Sequence, residues 1–110
     1  MSDAQARIEK LINDNPVVLF MKGTPQFPQC GFSGRVAQIL DYLGAPVVGV
    51  NVLEDAEIRQ GIKEFANWPT IPQLYVNGEF VGGADIATEM FQSGELQAML
   101  TEAGVPVKTA

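Results

Sequence analysis

The residue best suited to chemistry is Cys30, the only cysteine in the chain. It stands in the stretch Met21-Lys22-Gly23-Thr24-Pro25-Gln26-Phe27-Pro28-Gln29-Cys30-Gly31-Phe32-Ser33. Before it, Pro16-Val17-Val18-Leu19-Phe20-Met21 is a short apolar run of the kind that forms a buried strand. After it, Val36, Ile39, Leu40 and Leu43 recur at the spacing of one helix face, which predicts a helix from Gly31 to Leu43. Gly44 then sits where a helix C-terminus favours glycine, and Pro46 blocks continuation. Cys30 therefore falls where a strand, a proline-rich loop and a helix N-terminus meet. A helix N-terminus carries partial positive charge and unpaired N–H groups, and both favour thiolate over thiol. Cysteines so placed fall from about 8.5 into the range of roughly 3.5–7.5. Lys22, at the end of the strand, adds a full positive charge nearby. The competing reading is an inert buried thiol. A Cys-Gly pair in a loop closed by two prolines argues against it.

Composition narrows the chemistry further. There is no histidine. The commonest general base and the commonest nitrogen ligand are therefore missing, which excludes His-based hydrolytic triads, His-ligated zinc and haem with a proximal histidine. A single cysteine excludes an internal disulfide and fits a reducing compartment, so a cytoplasmic location is expected. Met1-Ser2-Asp3-Ala4-Gln5-Ala6-Arg7 has neither the basic start nor the apolar centre of a secretory signal. No apolar run approaches the ~20 residues of a membrane span. The net charge of −6 offers no basic footprint for nucleic acid. Neither nucleic acid nor a membrane is an expected partner. The 110 residues, 46% of them hydrophobic, read as one domain over 1–110.

The elements that must position Cys30 are readable by pattern. Ala4, Ile8, Leu11 and Ile12 repeat at helical spacing, and Asn15-Pro16 ends that helix. Pro46 to Val52 reads as a second strand. Asp55 is a candidate N-cap for a helix with Ile58, Ile62, Phe65 and Ala66 on one face. Arg59 and Lys63 lie one turn apart on another face. Asn67-Trp68-Pro69-Thr70-Ile71-Pro72 cannot continue a helix. Gln73-Leu74-Tyr75-Val76 and Glu79-Phe80-Val81 are joined by Asn77-Gly78, a strong hairpin signal. Gly82-Gly83-Ala84-Asp85 leads into a helix from about Ile86 to Gln92. Ser93 is a candidate cap for a last helix with Leu96, Met99 and Leu100 facing in. The tail from Gly104 to Ala110 is expected to fray. The order is α-β-α-β-α-β-β-α-α, an α/β chain with a parallel crossover pair and a closing antiparallel hairpin.

Cys30-Gly31-Phe32-Ser33, with Lys22 eight residues upstream, resembles the active site of monothiol glutaredoxins of the CGFS type. Thr24 to Gln29 resembles the longer loop that separates them from dithiol glutaredoxins, whose sites read Cys-x-x-Cys; Ser33 holds the second cysteine's place. Trp68-Pro69-Thr70-Ile71-Pro72 and Gly82-Gly83-Ala84-Asp85 resemble further family motifs at family spacing. The resemblance runs from about Ala4 to Glu102. It implies a thioredoxin-like (glutaredoxin) fold: a four-stranded mixed sheet flanked by about five helices, with a cis-proline at Pro72 facing the cysteine. The residues alone say only that an X-Pro bond can be cis at low cost.

The resemblance also implies a glutathione site across these segments. Lys22, Arg59 and Lys63 are placed to meet the glycine carboxylate of glutathione, although Lys63 reads equally as a surface cation. Within Thr70, Ile71 and Pro72, the extended Ile71 backbone can bond the cysteinyl part as a strand would. Ile71 is as readily a core residue, and both can hold. Gly82 and Gly83 admit a ligand close to the backbone. The Asp85 carboxylate can meet the ligand's ammonium while nearby N–H groups take its carboxylate. Asp85 is also, by position, an ordinary N-cap. Many family members carry a second cysteine where this chain has Ala84, so no internal disulfide with Cys30 can form. A backbone contact at residue 84 needs no side chain.

A lone thiolate can form a mixed disulfide with glutathione, a disulfide with another chain, or a metal–thiolate bond. A 2Fe–2S cluster usually takes four thiolates, and one chain offers one. Two chains, each with one bound glutathione, supply four. Ligand count thus points to a homodimer bridged by a shared 2Fe–2S cluster, with Cys30 as the protein's metal ligand. This agrees with what the resemblance implies: a carrier that passes labile clusters to apo iron–sulfur recipient proteins and associates with BolA-like proteins. Two readings compete with it. One is an enzyme, a glutathione-dependent thiol–disulfide oxidoreductase with Cys30 catalytic. The other is a regulatory partner module.

Overall fold

Val17–Met21 is apolar at all five positions, the pattern of a strand covered on both faces. The computed structural model, which describes residues 3–108, places this strand (β1) inside a four-stranded sheet. It pairs in parallel with β2 (Val48–Asn51), with Val18 opposite Val48 and Met21 opposite Asn51. On its other side it pairs antiparallel with β3 (Gln73–Val76), with Val18 opposite Tyr75. The strand β4 (Glu79–Gly82) closes the order β2-β1-β3-β4. Five α-helices flank the sheet: α1 (Asp3–Asp14), α2 (Gly31–Leu43), α3 (Ala56–Phe65), α4 (Ala84–Ser93) and α5 (Glu95–Glu102).

Alternation along β1 divides the core in two. Val17, Leu19 and Met21 join Leu40, Leu43, Ala87, Leu96 and Leu100 beneath α2, α4 and α5. Val18 and Phe20 join Ile8, Ile12, Ile58, Ile62 and Tyr75 beneath α1 and α3. The hairpin turns at Asn77 (φ 51°) and Gly78 (φ 83°), as the Asn-Gly pair predicts. Gly44 ends α2 in the left-handed region (φ 70°). Asp55 caps α3, accepting from the N–H groups of Glu57 and Ile58, and its other carboxylate oxygen meets Arg7 of α1 at 2.7 Å.

Several boundaries differ from the pattern. The strand β2 leaves out Pro46 and Val47, and Val52 enters a 3₁₀ turn (Val52–Glu54) because the Asn51 side chain accepts the Leu53 N–H. Phe65 is the last residue of α3, more exposed than the helix face predicts, with its ring edge on Tyr75. The helix α4 starts at Ala84 with Gly83 as its N-cap, so Asp85 lies inside the first turn and is not the cap. Gly94 (φ 86°) occupies the junction before α5, while the Ser93 hydroxyl accepts the Glu95 N–H at 3.2 Å. Met99 is half-buried. Over its described part the tail has contacts with the domain: Val105 is buried in the core and the Lys108 N–H donates to the Leu43 carbonyl at 2.6 Å. An apolar residue just beyond the helix explains this. Thr109 and Ala110 lie outside the described residues.

The Asp55 contacts make stability depend on acid. Arg7, then the Ile58 N–H, hold the Asp55 carboxyl below its ordinary value. Its contribution is therefore present above the unfolded pKa of about 3.9 and is lost as pH falls through the lower folded value. Asp55→Asn keeps a capping side chain but loses the charge. Urea denaturation should show the variant less stable at pH 7, with the gap to the wild type closing below about pH 4.

Candidate functional site

Cys30 is the N-cap of α2, in extended backbone (φ −149°, ψ 135°), and its side chain makes no capping bond. The thiol is free and partly exposed. Its pKa is drawn below the ordinary thiol value, first by the Ser33 backbone N–H and further by the Phe32 N–H, the charge of Lys22 and the Ser33 hydroxyl; partial burial opposes them. The open end of α2 thus leads and Lys22 follows. Ser33 is fully buried, and its Oγ accepts the Lys22 N–H at 3.1 Å. That bond ties the end of β1 to the first turn of α2.

The loop between them is held from three sides. The Gly23 N–H donates to Asn51 Oδ1 at 2.9 Å, and the same oxygen accepts the Leu53 N–H at 3.0 Å. The Gln29 N–H donates to the Lys22 carbonyl at 2.9 Å, closing the loop at its base. Pro25 rests on Gly49 of β2, where a Cβ would stand 2.5 Å from the proline ring. Asn51 and Gly49 escaped the sequence analysis. The signal for Asn51 was an Asx residue at a strand end; no local signal marks Gly49, because the contact is long-range.

Opposite the loop, the Ile71–Pro72 bond is cis. Thr70, Ile71 and Pro72 line a single groove of about 380 Å³ together with Gly83, Ala84, Asp85 and Phe32; Cys30 itself is not among its lining residues. Gly82 makes the sharp entry into α4 at φ 146°, where a Cβ would meet Ile86 at 2.8 Å. Six of the residues singled out by sequence therefore share one groove. Trp68 and Ile86 also line it and were not on that list. Arg59 and Lys63 stand half-buried on α3 outside the lining. Among the described residues, neither they nor Lys22 has a carboxylate within ion-pairing distance; the two ion pairs found are Arg7–Asp55 and Lys10–Asp14. A second groove of about 570 Å³ has Cys30 itself in its lining, with Pro28, Arg35 and Gln38 along it.

The Glutaredoxin family model matches residues 17–81, which hold β1, the Cys30 loop, the cis-proline and all but the last residue of β4. A monothiol glutaredoxin of Synechocystis, itself uncharacterised, is 63% identical over 98 residues, 89% of this chain and 92% of the relative. The chain belongs to the monothiol glutaredoxin family. Solved glutaredoxins superpose on it throughout. A monomeric truncated mutant of Trypanosoma brucei 1-C-Grx1 has a TM-score of 0.89 at 38% identity, covering 100% of both chains. A buckwheat glutaredoxin–glutathione complex has a TM-score of 0.82 at 30% identity, covering 92% of this chain and 90% of the other. The thioredoxin-like fold is that of these glutaredoxins.

The thiolate of this glutaredoxin is directly measurable. Alkylation rate against pH should have its midpoint below the ordinary thiol value of about 8.5. Lys22→Gln should raise the midpoint without restoring the free value, because the Ser33 and Phe32 N–H groups remain. A wild-type midpoint at or above that value removes the helix-terminus argument.

Proposed function

We propose that this glutaredoxin binds glutathione and carries a 2Fe–2S cluster as a homodimer, taking part in iron–sulfur cluster storage, transfer and biogenesis. Cys30 and one glutathione from each copy supply the four thiolates. The observation that carries this reading is a single free thiol, Cys30, partly exposed at the N-terminus of α2. Among the described residues no group of three or more histidine, cysteine, aspartate or glutamate side chains is arranged to hold a metal. Cys30 is nevertheless a partly exposed thiol whose pKa is lowered. A thiolate is the ligand that iron–sulfur clusters take, so the residue fits the cargo; one copy of the chain does not suffice.

Other features support the two components separately. The groove lined by Ile71 and Asp85 offers backbone and an acidic side chain, and the buckwheat relative of the same fold was solved with glutathione. Lys22, Arg59 and Lys63 suit the glycine carboxylate of that tripeptide. Phe27 and Phe32 flank Cys30 and are 74% and 58% exposed, apolar surface that a second copy can cover. The same surface suits apo iron–sulfur recipients and BolA-like proteins as further partners. One thiol with no disulfide partner suits the reducing cytoplasm.

Reconstitution with iron, sulfide and glutathione should give a coloured dimer holding about one 2Fe–2S cluster per two chains. Leaving out glutathione, or substituting Cys30→Ser, should remove colour and dimer together, whereas Ser33→Ala should keep both. A colourless protein that rapidly reduces glutathionylated substrates makes it a glutathione-dependent oxidoreductase instead. Arg59→Glu should weaken glutathione binding in calorimetry with the fold intact; unchanged affinity takes Arg59 out of the site.

A further inference from the structure

Gln73 opens β3 with no exposure to solvent, an uncommon place for a primary amide. Its Nε2 donates to the Trp68 carbonyl at 3.0 Å and to the Thr70 carbonyl at 3.3 Å. Its Oε1 accepts the Tyr75 hydroxyl at 3.0 Å. The two loop partners are acceptors, so the amide nitrogen faces the loop and its oxygen faces Tyr75. Tyr75 is itself immobilised. Its ring packs edge-on against Phe20 at 5.7 Å and beside Phe80 at 5.3 Å, and burial pushes its ionisation up, which keeps the hydroxyl a donor. Phe80 in turn holds the Trp68 ring at 5.5 Å. The Trp68–Thr70 segment is thus fastened to β3 twice, through the amide and through the rings.

Trp68 and Thr70 both line the groove of Ile71 and Asp85. We propose that Gln73, locked by the Tyr75 hydroxyl, is a positioning residue for glutathione: it clamps the Trp68 and Thr70 carbonyls so that the Ile71 backbone is already in place before a ligand arrives. The inference rests on the reading of that groove as the glutathione site. Order supplied during folding is not charged to binding, so the clamp raises affinity without touching the ligand.

Trp68 is the only tryptophan, so its emission reports on the clamped segment. In the full chain, Gln73→Leu should weaken glutathione binding about tenfold, equivalent to ~1.4 kcal/mol. It should also shift Trp68 emission to the red as the indole meets water. The Cys30 alkylation midpoint should stay in place, because its causes lie in α2 and Lys22. Tyr75→Phe keeps the ring and removes only the hydroxyl; it should move affinity and emission the same way by a smaller factor. Leu100→Ala, in the core on the other face, lowers stability and should move neither reading. Folded Gln73→Leu and Tyr75→Phe proteins with wild-type affinity and emission overturn the clamp. If Gln73→Leu does not fold, Tyr75→Phe decides by the same two readings. If the wild type itself binds no glutathione, the ligand assignment fails, and the emission of the variants alone decides whether the clamp exists.

Discussion

The interaction around which this molecule is arranged is electrostatic: the positive end of α2, set against the Cys30 sulfur, favours its thiolate. The Ser33 and Phe32 N–H groups lack helical partners because α2 begins there, and a thiolate in front of them satisfies that deficit. That field acts only if the sulfur is held at the helix end and still open to a reaction partner. Cys30 meets both conditions by serving as the N-cap residue in extended backbone while staying partly exposed.

Holding the sulfur there is a task for the neighbouring strands. The last residues of β1 and β2 meet in register, Met21 opposite Asn51, and the loop is anchored from the end of β2 and from the first turn of α2. Asn51 grips Gly23, and the buried Ser33 hydroxyl grips Lys22. The replacement of a second cysteine by serine is therefore more than a lost thiol: the hydroxyl at that position joins strand to helix. On the far side of the groove, the cis-proline loop is held by a buried amide and a chain of aromatic rings.

Charge placement follows the same division. The chain carries 13 acidic and 7 basic residues. Arg7 and Lys10, on α1, are engaged with aspartates. Lys22, Arg59 and Lys63 are not paired with a carboxylate among the described residues. Of these, Lys22 helps to lower the Cys30 pKa, a local positive charge in an acidic protein.

Much was determined by the sequence alone. The apolar run of β1, the helical spacing through Leu43 and the Asn-Gly turn depend on neighbours within a few residues, and the structure places those elements where pattern predicts. The cysteine's electrostatic setting was legible for the same reason, since the helix that creates it starts one residue later. What only the tertiary structure decided are pairings across long separations. Asn51 to Gly23 and Pro25 on Gly49 leave no periodic trace. The start of α4 at Ala84 follows from where β4 ends its pairing with β3, which demoted Asp85 from cap to first-turn residue. The tail likewise packs because Val105 finds an apolar site that the rest of the fold creates. Local propensity specifies elements; the room left between them, and the donors and acceptors facing that room, exist only once the sheet has closed.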